Sequence, residues 1–292
     1  MFEIFSETAD LATVPLVEVR VKIWKIACVL LLLSACSLPA IPREPDTTAV
    51  GPGDETIALT KYLMDTPLPV VDRTWLVNDT IDLSATTDKR ITFTERGLLK
   101  RTARSPERTL PVVKLNDASN VRISGLKIQG PLTCDNGVPV YDPNTEAQHG
   151  IEIIGSNNIS ISGGYVKGMP GDAIYVAGQT SDLDIHNMTL ECSGRSSMSN
   201  TGSFRVRSSN VAYDKAGLWH INIEPVAEAI VDQYTIIQPM IGPSGSVWLW
   251  SGGPDFNCHV SNVNVHQPSF WDGRWYGISA YGCVIDDIIV HP

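Results

Sequence analysis

Charge is scarce in this chain, and positive charge is scarcest. Only 18% of the 292 residues are Asp, Glu, Lys or Arg, and 22 basic against 32 acidic side chains leave a net charge of −10. Phosphate recognition needs clustered Lys and Arg, so neither nucleic acid nor a polybasic contact with a membrane is expected. No apolar run reaches the roughly 20 residues that span a bilayer as a helix, which argues against a transmembrane anchor. No cysteine pair has C-x-x-C spacing and no histidine cluster accompanies the cysteines. Neither a metal site nor a cofactor is therefore expected. A helical apolar period is also missing between the short β-branched runs, which removes βαβ units.

What is present starts with an export signal. Lys22 and Lys25 precede an apolar run of about ten residues, the length of a signal-peptide core, and the run closes on Leu33-Ser34-Ala35-Cys36. This resembles the lipobox of bacterial lipoproteins, which implies diacylation of Cys36 and a mature chain beginning there. Two acyl chains give the stable anchoring that one cannot. Glu3, Glu7, Asp10 and Glu18 form an acidic lead unlike a signal n-region, so translation is expected to start near Val21. The organisation expected is a signal over 1–36, a Pro-rich linker over 37–53 and one domain over 54–292. The expected location is the bacterial envelope, lipid-anchored and facing outside the cytoplasm.

Within the domain, short β-branched runs alternate with turns of Gly, Ser, Asn and Asp. Pro111–Leu115 is followed by Asn120–Ile128, Gly150–Ile154 by Asn158–Ile161, and Ala173–Val176 by Leu183–Ile185. Later copies pair Phe204–Val206 with Val211, Ile221–Ile223 with Tyr234–Ile237, Val247–Leu249 with Val260–Val263, and Gly277–Ser279 with Val284–Ile288. Such units bury their apolar face only by stacking, which predicts a solenoid. A β-sandwich also gives short, regularly spaced strands and stands as the alternative.

The segments Lys114–Gly130 and His149–Gly178 resemble coils of the pectin-lyase-like superfamily. The resemblance covers roughly residues 55–292 and implies an all-β, right-handed parallel β-helix. A short helical cap over Asp54–Met64, with Ile57, Leu59, Tyr62 and Leu63, would block its first edge. The last strand ends at Pro292 without a polar cap, an arrangement expected to be met by self-association or by further coils.

Four cysteines remain after the signal, Cys134, Cys192, Cys258 and Cys283, and they can pair in three ways. Cys258 and Cys283 hold the same place in consecutive coils, about 4.8 Å apart, which suits either a disulfide or a ladder of reduced thiols. Cys134 and Cys192, on turns two coils apart, are the less favoured pair.

Aligning the first strands of the coils predicts one outward row through Glu152, Tyr175, Arg205, Asn222, Trp248 and Ser279. A second row, two residues on, runs through Ile154, Ala177, Arg207, Glu224 and Trp250. Arg207 is then expected beside Glu224 and Arg205 beside Asn222, with His220 on the same face. Charged groups and rings on one sheet suit a glycan, the rings meeting apolar sugar faces and the polar groups meeting hydroxyls. Glu224, His220, Arg207 and Arg205 are the catalytic candidates. Asn222, Trp248, Trp250, Tyr175 and Glu152 are the binding candidates. An ordinary solvated ion pair is the plain alternative for Arg207 and Glu224.

Family chemistry does not transfer. Gly171-Asp172-Ala173 offers one Asp where polygalacturonase-like hydrolases show a pair, and their other motifs are absent. Glu152 and Glu224, three coils or roughly 14 Å apart, exceed the separation that glycosidase carboxyl pairs use. Two readings stay open for a polysaccharide-binding surface protein. One is a lyase or glycoside hydrolase acting on a uronate-containing glycan, the other a noncatalytic adhesin or tailspike-like protein.

The anchor is testable in cells. Cys36→Ala should abolish labelling by a fatty-acid analogue and release the protein from the membrane fraction; labelling that persists in the variant would end the lipoprotein reading.

Overall fold

The computed structural model describes residues 54–102, 110–135, 137–225 and 229–241, and beyond these the strands within 247–291. The signal and linker, and the side chains of Trp248, Trp250, Cys258 and Cys283, lie outside the described residues.

Three parallel sheets wind as a right-handed β-helix, each coil contributing one strand to each sheet. One coil runs through Ile151–Ile154, Asn157–Ser162 and Tyr165–Met169 before Ile174–Ala177 begins the next. We call the sheet holding Asn157–Ser162 the first, that holding Tyr165–Met169 the second and that holding Ile151–Ile154 the third. The coil resemblance thus gave the right architecture.

Alternation explains the core. In the third sheet Val113, Ile151, Ile174, Met198 and Ile221 are register partners and all buried. In the first sheet Ile91, Ile123, Ile161 and Ile185 stack in the same way. Each strand hides one face and shows the other, so a single column of aliphatic side chains runs along the solenoid axis. The helix Thr56–Asp65 closes the first coil with Leu59, Tyr62 and Leu63 turned inward, whereas Ile57 is exposed.

The turns use left-handed backbone. Asp88, Asn120, Asn158, Asp182, Gln233 and Asn262 all have φ between 51° and 55° at the corner leading into first-sheet strands. Asn and Asp tolerate this region because their short polar side chains bond locally. The side chains also ladder: Asn158 Nδ2 donates to Asn120 Oδ1 at 2.7 Å, and Asn120 Nδ2 to Asp88 Oδ1 at 3.0 Å.

One coil was hidden from the sequence pattern. Ser196–Asn200 is a third-sheet strand between Ile174–Ala177 and Trp219–Ile223, yet its sequence is Ser-Ser-Met-Ser-Asn and all five residues are buried. Inward Asn200 finds a partner there, its Nδ2 donating to Ser203 Oγ at 2.7 Å, while among the described residues the Ser196 hydroxyl is buried without one. Phe204-Arg205-Val206, taken above for this coil's first strand, belongs to Ser203–Ser209 of the first sheet. The expected outward row therefore does not contain Arg205.

The turn between Lys127–Gln129 and Ile151–Ile154 expands into a long loop over residues 130–150. A disulfide joins Cys134 in this loop to Cys192 in the strand Thr189–Ser193, the pair judged less favourable from sequence. The loop also crowds Gly217, where an added Cβ would lie 2.9 Å from the Pro139 carbonyl oxygen. Cys258 and Cys283 are register partners, as their repeat positions implied.

The Cys134–Cys192 bond closes a loop with a sequence separation of 58. A Cys134→Ser, Cys192→Ser double variant should lose about 2–4 kcal/mol of unfolding free energy in a denaturant titration. An unchanged midpoint would show that the bond does not constrain the chain.

Candidate functional site

The outward side of the third sheet is part covered by the long loop. Between loop and sheet lies a cleft of about 220 Å³ lined by Glu146, Ala147, His149, Tyr175, Arg195, Thr201 and Glu224. The loop supplies Glu146, Ala147 and His149. The sheet supplies Tyr175, and the turns at the two ends of its strands supply Arg195, Thr201 and Glu224.

An arginine organises the floor. Arg195 Nη1 donates to Asp172 Oδ2 at 2.9 Å and to Ser199 Oγ at 3.1 Å, while Nη2 donates to Glu224 Oε2 at 2.7 Å. Asp172 is wholly buried and its second oxygen accepts the Ser196 N–H at 2.8 Å. Burial opposes the charge on Arg195, but Asp172 and Glu224 outweigh it and raise the pKa above the ordinary arginine value. Glu224 retains 22% of its side-chain surface. Asn222 Nδ2 also donates to Oε2, at 2.9 Å, so both of these bonds fall on one oxygen and Oε1 is left for a ligand.

One wall is aromatic. His149 stacks on Tyr175 with ring centroids 4.6 Å apart and planes 4° from parallel. The Asp172 backbone N–H donates to His149 Nδ1 at 3.2 Å, which places the proton of the neutral ring on Nε2. The Asp172 carboxylate also lies 3.5 Å from Nδ1, but an ion pair there needs a protonated ring. Burial, helped by Arg195 and opposed by Asp172 and Glu146, drives the His149 pKa down to about 4, so this contact is not a salt bridge at neutral pH. Thr201 Oγ1 donates to the Tyr175 hydroxyl at 3.0 Å, and burial raises the pKa of that phenol. Glu146 accepts a hydrogen bond from the Tyr141 hydroxyl.

The expected residues distribute unevenly. Glu152, Tyr175, Ser199, Asn222 and Trp248 are register partners across the third sheet, so that row holds once Ser199 replaces Arg205. Ser279 pairs with Trp250 and not with Trp248, a two-residue shift from the expected alignment. Among the described residues, Tyr175 and Glu224 alone of the expected set line the cleft. Glu152 lies outside it; burial raises its carboxyl pKa, and Asn116 Nδ2 donates to it at 3.4 Å. Asn222 is 1% exposed and acts through Glu224.

Three catalytic expectations need correction. Arg205 occupies the left-handed corner column of the first sheet and binds Asp182 of the preceding coil through Nε at 2.6 Å, away from Asn222. Arg207 pairs in register with Asp184 in that same sheet and is not the neighbour of Glu224. Arg195 takes that place. The error follows from the missed polar strand, which displaced Phe204-Arg205-Val206 into the wrong sheet. His220 does face outward but is fully buried, its Nδ1 3.4 Å from Ser197 Oγ, so it does not line the cleft.

His149 and Arg195 are not among the sequence candidates, and Asp172 enters there only as an unpaired Asp, because all three sit in turns. Their numbers nevertheless rise in equal steps, one per coil, and each lies one or two residues before a third-sheet strand. Among the described residues no cluster of three or more His, Cys, Asp or Glu side chains is placed to hold a metal ion.

No family model and no curated protein matches the chain. Among solved structures it superposes on the catalytic unit of a thermostable GH87 α-1,3-glucanase from Streptomyces thermodiastaticus with a TM-score of 0.52 and 11% identity. That match covers 81% of this chain but only 44% of the glucanase unit. An endo-xylogalacturonan hydrolase from Aspergillus tubingensis gives 0.47 and 15% over 85% of this chain and 92% of that one. The tailspike gp49 of Acinetobacter baumannii bacteriophage Fri1, a capsular polysaccharide depolymerase, gives 0.40 and 10% over 81% and 55%. At these identities the glucanase likeness establishes the fold and transfers no residue.

The neutral, buried His149 has a pH signature. Its folded pKa of about 4 lies below the ordinary 6.5, so the unfolded chain binds the extra proton as pH falls from 6.5 to 4. Its contribution is intact above 6.5 and is lost across that window, on the order of 3 kcal/mol. His149→Gln should flatten the fall in unfolding free energy between pH 7 and pH 4. An identical pH profile in the variant would show that His149 is not held neutral.

Proposed function

We propose that this protein is an envelope-anchored parallel β-helix that binds a polysaccharide in the third-sheet cleft, with Glu224 meeting the sugar hydroxyls and the Tyr175–His149 wall lying against a sugar face. The observation that carries this reading is the Arg195 clamp. Arg195 and Asn222 fix one oxygen of a partly exposed carboxylate, beside an aromatic wall and inside a groove formed by loop and sheet. Directed hydroxyl acceptors next to an apolar ring are what sugar recognition requires. Lipid attachment at Cys36 would hold the cleft outside the cytoplasm.

The charge of the cleft selects among glycans. Its guanidinium already serves Asp172 and Glu224, and Glu146 adds a further acid. A uronate carboxylate would meet net negative charge there, with no uncommitted arginine among the lining residues to neutralise it. Neutral sugars are therefore the favoured ligands of this cleft, and eliminative cleavage of a uronate is disfavoured. The glucanase unit that shares the fold is named for a neutral glucan.

Hydrolysis is a second reading, favoured by one observation. Glu146 and Glu224 line the same cleft from loop and sheet, the arrangement from which an acid and a base or nucleophile are drawn in glycoside hydrolysis. The alternative is a noncatalytic binder using the same residues.

Calorimetric titration with neutral glucan and uronate oligosaccharides, combined with an assay for new reducing ends, separates these readings. Glu224→Gln should weaken binding of the neutral oligosaccharide by about tenfold while the protein melts as wild type does. Reducing ends formed by the wild type and lost in Glu224→Gln would establish the hydrolase. Ultraviolet-absorbing unsaturated products from a uronate polymer would overturn the neutral-sugar reading.

A further inference from the structure

The first sheet carries a second feature, independent of the cleft. Arg90 and Arg122 are register partners on adjacent strands, and both are exposed. They line a depression of about 300 Å³ together with Asp88, Asn120 and Asn158. Like charges placed directly opposite on neighbouring parallel strands, about 4.8 Å apart, repel each other.

Most other arginines of the described structure are held: Arg73, Arg96, Arg195 and Arg205 each bind a carboxylate, and buried Arg101 donates to backbone carbonyls of Asp79, Leu110 and Pro111. Exposed Arg207 also lacks a bonded partner among the described residues, but its register neighbour is Asp184, whereas Arg90 and Arg122 face each other. Among the described residues Arg90 and Arg122 have neither an ion pair nor a side-chain hydrogen bond. The polar groups around them are committed: Asn158 donates to Asn120, and Asn120 donates to Asp88. The two guanidinium groups are thus the uncommitted donors of the depression.

We propose that Arg90 and Arg122 form an oxyanion site that takes a carboxylate or sulfate group of an acidic polysaccharide. Two stacked guanidinium forks offer paired N–H donors to one planar or tetrahedral anion, and the anion removes the repulsion between them. The surrounding face favours a glycan over a membrane. Continuing from the arginines, the outward rows run through Ser160 to Asp184 and through Thr92, Ser124 and Ser162 to His186. The positions next to the arginines are hydroxyls that suit a sugar chain, and no apolar side chain stands in these stretches to enter a bilayer.

The full-length protein tests this by calorimetric titration with a galacturonate oligosaccharide and, in parallel, a sulfated galactan oligosaccharide, with a neutral glucan oligosaccharide and phosphatidylglycerol vesicles as controls. At least one acidic oligosaccharide should bind, and the tighter of the two identifies the anion. The Arg90→Ala, Arg122→Ala double variant should bind it about tenfold or more weakly. Arg90→Lys with Arg122→Lys, which keeps charge but loses the fork, should fall between. Both side chains are exposed, so circular dichroism and melting should match the wild type. Failure of both acidic oligosaccharides to bind, unchanged affinity in the double alanine variant, or arginine-dependent binding to vesicles alone would overturn the proposal. Because Glu224 takes no part, these outcomes are separate from those that test the cleft.

Discussion

In-register parallel hydrogen bonding between coils is the constraint on which the rest of this structure depends. Each strand sets the height of the next at about 4.8 Å, so whatever stands at one outward position stands directly over its counterpart one coil below. Most interior positions repeat the same chemistry and stack as an aliphatic column, broken where Asn200 stands between Val176 and Ile223. Exterior positions need not repeat, and differences between coils at one position then bring unlike groups into contact. His149 and Asp172 meet in this way on adjacent coils, and Arg195, one residue out of step on the next coil, reaches back to Asp172.

The buried part of that contact is demanding. Asp172 has no exposed surface, and its two oxygens accept from Arg195 and from the Ser196 N–H. Removing one member of such a group leaves the other charge in a poor dielectric, a cost of about 3–5 kcal/mol, although the intact group adds little net stability. Its contribution is geometric. Arg195 bridges a fixed, buried anion and a partly exposed one, so the position of Glu224 is tied to the solenoid core and not to the flexibility of its own side chain.

Much of the fold was legible in sequence because β-branched runs such as Gly150–Ile154 and Asn158–Ile161 alternate strictly and recur. Where the inward residues stopped being aliphatic, legibility ended. Ser196–Asn200 carries a buried Asn and several buried serines, with Ser197, Ser199 and Asn200 finding partners that only the folded coil supplies, and a reading by hydrophobic period passes over it. That one omission moved Arg205 and Arg207 into the wrong sheet and hid the arginine that does contact Glu224. The cleft wall was illegible for another reason. Glu146 and His149 reach the site through a long irregular loop, and the path of such a loop follows from its crosslink and packing, not from any period.

The crosslink has a consequence for when the site comes into being. The sheet with Tyr175 and Glu224 forms by coil stacking alone, whereas the opposing wall is fastened by the bond between Cys134 and Cys192. Thiols remain apart in a reducing compartment and join in an oxidising one. Among cytoplasmic reductants the loop would lose its tether at Cys134, whereas His149, bonded to the Asp172 N–H and stacked on Tyr175, is held by the sheet itself. The path of the outer part of the loop over the sheet is in this sense coupled to the redox state of the compartment in which the chain folds.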